Sequence, residues 1–176
     1  PWAHRTILMR RLKGLDDMIS VSKVNQFMGE NGWTFEEGGG STGDALFGSH
    51  YLYEIYLQAN SEHSGRVTVP ILWDKQTGTV VSNESSEIIR MLNSAFDQVG
   101  ATGPDYYPEA LRAEMAPLND RIYNTINNGV YKCGFATSQE AYNQSAQELF
   151  DTLDMLEERL ATRRYLMGET LTEADW

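Results

Sequence analysis

At 176 residues, 41% of them hydrophobic and 11% aromatic, the chain has material for one large or two small folded domains and is not a disordered segment. Lys and Arg number 14 against 25 Asp and Glu, and the net charge of -11 repels polyanions such as DNA. A single cysteine, Cys133, excludes an internal disulfide framework and a cysteine-based zinc cluster.

Ile7, Leu8, Leu12 and Leu15 recur at helical spacing and Gly14 closes the run, so residues 2–13 are expected to be helical. His4, Arg5, Arg10, Arg11 and Lys13 read as the solvated basic face of that helix. Residues 18–24, MISVSKV, alternate like a half-buried strand. Residues 25–50, rich in Gly, Asn, Glu and Ser, are expected to form a long loop around one aromatic group, GWTF. A short helix follows over Tyr51–Gln58. RVTVPILWD (66–74) and GTVVSN (78–83) are β-rich runs joined by Lys75-Gln76-Thr77, a hairpin pattern. From Glu84, helical periodicity runs through Ile88, Ile89, Leu92 and Phe96. Residues 97–108, with Gly100, Gly103, Pro104 and Pro108, read as a linker.

The remainder is expected to be helical, over Leu111–Asn127 and over 138–163. The capping-box pattern Thr137-Ser-Gln-Glu140 opens the second helix, and Ala146, Leu149, Phe150, Leu153, Leu156 and Leu160 form its apolar stripe. Thr172-Glu-Ala-Asp175 is a second capping box, the start signal of a helix that is not written. With no opening strand either, both ends are read as lying inside structure, as in a fragment.

No apolar run reaches the roughly 18 residues of a membrane span, and His4, His50 and His63 lack metal-ligand spacing. The expectation is a soluble protein of a reducing compartment, the cytoplasm, with neither metal nor membrane partner. Gly38-x-Gly40-x-x-Gly43 matches a dinucleotide fingerprint, but it follows a loop and not a strand, and is discounted. Val69-Pro70, inside an apolar run, marks either an edge position or a cis peptide that leaves the Val69 main chain open to an extended peptide. Asn83-Glu84-Ser85-Ser86 is either ordinary capping by Asn83 or an amino-acid site. In the second case the helix N-terminus and the Ser85 hydroxyl hold an α-carboxylate and Glu84 an α-ammonium. Trp33 is a satellite core residue or the wall of a ligand site, and Arg66 a solvent charge or a carboxylate clamp. Tyr131 reads as a packed aromatic and Cys133 as a buried, inert thiol.

Helix–strand–helix, then an X-Pro strand pair and a Glu-Ser helix ahead of an all-helical region, resembles the glutathione transferases. More narrowly, PWAHR, GWTF, RVTVPILWD, NESSEIIRMLN, YPEALR, NNGVYKCGFATSQEAY and LTEAD together resemble the glutathionyl-hydroquinone reductases, the Xi class. The resemblance implies an α/β thioredoxin-like domain over 1–96 lacking its first strand, a linker over 97–108, and an incomplete all-α domain over 109–176. That family's first motif is Cys-Pro-Trp-Ala, with the cysteine as nucleophile. The present sequence begins at Pro1-Trp2-Ala3, so the chain as written is expected to lack the nucleophile and to be inactive.

By the same resemblance, glutathione, the co-substrate, is held by Trp33, Arg66, Val67, Thr68, Val69, Glu84 and Ser85. Tyr131 is the proton donor beside a glutathionyl-hydroquinone, and the full-length protein is a homodimer. Two rival readings stand beside it: a non-catalytic glutathione transferase-like binding module, and a helical redox sensor working through Cys133. The residue ahead of Pro1 separates the module from the enzyme, and the acidity of Cys133 tests the sensor.

Overall fold

Gly14 decides where the first helix stops. In the computed structural model, which describes residues 2–176, α1 (Trp2–Leu12) ends as the Leu15 N–H donates back to the Arg10 carbonyl at 2.9 Å, with Gly14 at φ 65°. That left-handed turn suits glycine, and a Cβ there would also stand 2.4 Å from Thr102 Oγ1. Pro1 of the PWAHR motif lies outside the described residues.

Thr6 and Met9 of α1 and Lys13 just beyond it are buried; His4 and Arg11 lie on the expected solvent face, but Arg5, Arg10 and Lys13 do not. Lys13 is only 3% exposed and reaches Asp97 at 3.2 Å, while Arg10 pairs with Asp16. Their long apolar stems let cations lie along a packed face with the charged end satisfied. Ile7, by contrast, is 38% exposed because it faces an open apolar cavity of about 1070 Å³. Val21, Val24, Ile71, Ile88 and Leu92 line the same cavity.

Residues 18–24 do not form the expected strand. A strand is defined by its ladder, and no strand pairs with this segment among the described residues. The Lys23 N–H donates instead to Thr42 Oγ1 at 2.8 Å, and its carbonyl accepts from the Thr42 N–H. The long loop carries a minimal hairpin that the sequence did not suggest, β1 (Met28–Gly29) antiparallel to β2 (Gly32–Trp33). Gly38, Gly40 and Gly43 all have positive φ within that loop and open no helix. Asp44 closes it by accepting from the N–H groups of Leu46, Phe47 and Ser49. Burial works to raise the Asp44 pKa, but those hydrogen bonds outweigh it, and the carboxyl titrates below its ordinary range.

The helix α2 (Leu52–Ala59) starts where the Glu54 carboxylate accepts from the His50 and Tyr51 N–H groups. Of the run 66–74 only β3 (Leu72–Asp74) is ladder-paired, antiparallel to β4 (Thr79–Ser82) in the expected hairpin. The Val69–Pro70 bond is cis. The next helix, α3 (Ser85–Ser94), packs against α1 and buries Ile88, Ile89 and Leu92. Its cap is Glu84, whose carboxylate accepts from the Ser86 N–H at 3.2 Å; Asn83 does not cap it. A short 3-10 turn, Asp97–Val99, follows.

The chain divides into two compact units, Pro1–Pro104 and Asp105–Trp176. In the second, α4 (Glu109–Ile122) passes through Pro117 and then widens into a π turn, Tyr123–Asn127, where a regular helix was expected. After α5 (Gly129–Gly134) comes α6 (Gln139–Leu160). Ser138 caps α6 through the Ala141 N–H, one residue beyond the Thr137 that the capping-box pattern suggested. Its apolar stripe is only partly covered, with Phe150 61% exposed. The sole buried side chain of α6 is Thr152, whose hydroxyl binds Thr125 Oγ1 at 2.8 Å and Arg121 Nε at 3.1 Å. Met115, Leu118, Leu166, Met167 and Ala174 form this unit's core. The capping box at Thr172 and Asp175 is present and opens a 3-10 turn, Glu173–Asp175.

Candidate functional site

Phe35, Leu52, Ile55 and Tyr56 form a small buried apolar cluster in the first unit. Trp33, Val67 and Val69 all pack against it, so three of the residues expected at the ligand site share one platform. Neither the N–H nor the carbonyl of Val69 has a hydrogen-bond partner among the described residues. An extended peptide can therefore pair there. Thr68 beside it is exposed, as is Arg66, which has no ion-pair partner among the described residues.

Tyr56 is the residue that sequence reasoning missed. Its hydroxyl donates to the Thr68 carbonyl at 2.8 Å and accepts from the Thr68 N–H at 3.2 Å and from Asn83 Nδ2 at 3.1 Å. One phenol thus ties α2 to the 66–69 segment and to the residue just before Glu84. Tyr56 falls in the short helix expected over Tyr51–Gln58, and nothing in the sequence signals the role of its polar tip. Replacing it by Phe strips partners from a buried group, so Tyr56→Phe should cost about 1–3 kcal/mol of unfolding free energy in urea titration.

At the N-terminus of α3 the Glu84 Oε1 atom is occupied by the Ser86 N–H and hydroxyl, both at 3.2 Å. Glu84 Oε2 has no partner among the described residues and is free to accept from a cation. The Ser85 N–H, in the helix's first turn, is likewise unpaired among them, one of the open donors of a helix start. Ser85 Oγ, almost fully buried, accepts from Arg5 Nε at 3.0 Å and Nη2 at 2.8 Å. Arg5 also lies 3.8 Å from Glu84 Oε1 and 5.4 Å from the centre of the Trp2 ring. Tyr131 belongs to α5 in the second unit, exposed. Cys133, the free thiol, is half-buried on the same short helix.

Of the residues expected to hold a tripeptide, only Val69 lines the large apolar cavity, which is thus distinct from the acid–hydroxyl pair. No cluster of His, Cys, Asp or Glu among the described residues could hold a metal ion. Among them, too, no helix is long and apolar enough to cross a membrane.

The acid–hydroxyl pair at a helix N-terminus and the open main-chain edge both belong to the first unit. Residues 1–95 match the glutathione S-transferase N-terminal domain, and residues 139–176 the corresponding C-terminal domain. The chain belongs to the glutathione S-transferase family, with its thioredoxin-like domain followed by a helical one.

Within the family the likeness is to the Xi class and the glutathionyl-hydroquinone reductases. The chain is 58% identical over 175 residues to glutathionyl-hydroquinone reductase PcpF of Sphingobium chlorophenolicum, covering 99% of this chain and 56% of that protein. It superposes on the glutathione-bound structure of YqjG from Escherichia coli K-12 with a TM-score of 0.96 at 58% identity, covering 99% of this chain and 57% of the other. Glutathione transferase Xi 1 from Trametes versicolor gives a TM-score of 0.95 at 49% identity, with 99% and 62% covered. The chain thus spans little more than half the length of the curated reductases it matches.

Proposed function

We propose that the first unit binds glutathione, and that the activity it serves is the reduction of glutathionyl-hydroquinones to hydroquinones. The observation that carries the reading is a polar set in the first unit that is unpaired among the described residues: Val69 N–H and carbonyl, Ser85 N–H and Glu84 Oε2. This set is complementary to a γ-Glu-Cys-Gly peptide. Glu84 would hold the α-ammonium, Ser85 the α-carboxylate, and Val69 the cysteinyl main chain. Trp33 and Arg66 would flank the peptide, and Val67 and Thr68 would complete its edge. The names of the reductases similar to this chain supply the hydroquinone half of the reading.

In that reaction the family's cysteine thiolate, at the positive end of α1, attacks the glutathionyl sulfur of the substrate. The protein–glutathione disulfide forms as the carbon–sulfur bond breaks, and the aryl carbon takes its proton from Tyr131. A second glutathione then attacks the mixed disulfide, releasing oxidised glutathione and regenerating the thiolate. The expected nucleophile is the cysteine of Cys-Pro-Trp-Ala and not Cys133. Homodimerisation and a cytoplasmic location complete the proposal; the single free cysteine suits a reducing compartment.

Calorimetric titration of glutathione into the chain tests the binding step. One saturable site is expected. Glu84→Gln and Ser85→Ala should each weaken it about 10- to 100-fold, the loss of one hydrogen bond to a charged group. A chain that takes up no glutathione, or variants that bind as tightly as the wild type, would end the proposal.

A further inference from the structure

Arg5 falls on what the sequence suggests is a solvated basic face, yet its side chain is only 14% exposed and two of its guanidinium nitrogens donate to one oxygen. A serine hydroxyl has two acceptor lone pairs and one hydrogen. With Arg5 Nε and Nη2 donating to Ser85 Oγ, the acceptor capacity is used up and only the hydrogen is left. Glu84 Oε1, at 3.5 Å, is a distant acceptor for that hydrogen and already takes two shorter bonds from Ser86. The hydroxyl is therefore left with only its one hydrogen to give, beside the unpaired N–H of the same residue.

We infer that Arg5 is a positioning residue that turns Ser85 into an obligate donor and so makes the α3 N-terminus selective for a carboxylate at the γ-glutamyl end of the ligand. Without Arg5 the hydroxyl can rotate and accept, and it no longer distinguishes a carboxylate from a neutral amide. The guanidinium also lies 5.4 Å from the centre of the Trp2 ring, within cation–π range. The inference rests on the glutathione-binding reading above, because it assigns the ligand's carboxylate to Ser85.

The test compares glutathione with its analogue carrying a carboxamide in place of the γ-glutamyl α-carboxylate, by calorimetry on the chain. The wild type should prefer glutathione. If it binds neither ligand, the glutathione reading itself fails, independently of Arg5. In Arg5→Met the preference should shrink about three- to tenfold, the worth of one ordinary hydrogen bond. Arg5→Lys, which keeps the charge but lacks the fork, should recover only part of it. The shrinkage should also vanish in a Ser85→Ala background, since Arg5 acts through that hydroxyl. Equal weakening of both ligands in Arg5→Met and Arg5→Lys, or an Arg5 effect that persists undiminished without the Ser85 hydroxyl, overturns the inference.

Discussion

Tyr131→Phe should lower turnover of a glutathionyl-hydroquinone by about 10²- to 10⁴-fold, the usual worth of a positioned proton donor, in enzyme carrying an intact Cys-Pro-Trp-Ala motif. The substitution is clean for a structural reason. Tyr131 is 41% exposed, and its hydroxyl makes no hydrogen bond among the described residues, so removing the oxygen strands no partner. Its main chain stays anchored, the carbonyl accepting from the Phe135 N–H at 2.9 Å. Glutathione affinity should not move, because none of the groups proposed to hold the tripeptide is altered. Steady-state kinetics with the hydroquinone conjugate, beside calorimetry with glutathione, reads both halves. Unchanged turnover would take Tyr131 out of the reaction, whereas lost glutathione affinity would make it a binding residue.

The second large effect is on stability. Met115 is fully buried at the centre of the second unit, surrounded by Leu118, Leu166, Met167 and Ala174 with Leu111, Ile122 and Leu156 behind them. Met115→Ala removes three heavy atoms from that packing, and the walls can close only in part. The expected cost is about 2–5 kcal/mol in urea-induced unfolding. Phe150→Ala provides the contrast. Phe150 is the larger side chain on a stronger helical stripe, but most of its surface already faces solvent. Its replacement should stay within about 0.5 kcal/mol. A Phe150 variant as costly as the Met115 variant would show that the stripe of α6 is covered in solution.

The readings that depend on local chemistry were legible in the chain. Helical periodicity places α1, α2, α3 and α6 to within a few residues, because the 3.6-residue repeat is written along each segment. The hairpin of β3 and β4 follows from two β-rich runs around a short turn, closed by the Asp74 carboxylate on the Gln76 N–H and the Thr77 hydroxyl. A cis bond before Pro70 was one of two readings that a proline in an apolar run left open.

Other features needed the folded chain, because they depend on what stands across from a residue. The alternation of 18–24 promises a strand, but a strand needs a neighbour, and Lys23 meets the side of a loop instead. Arg5, Arg10 and Lys13 look like a water-facing row until Ser85 of α3, Asp16 and Asp97 respectively give each a partner. The triple role of the Tyr56 hydroxyl joins residues 12 and 27 positions further along the chain, beyond the reach of any local pattern. Residue type and spacing are local properties, so the sequence alone singled out the acid, the hydroxyl and the X-Pro edge as candidates, each beside an ordinary structural reading. Tertiary structure decided which of their lone pairs and hydrogens remain unspent, because hydrogen-bond satisfaction is settled only when distant segments meet.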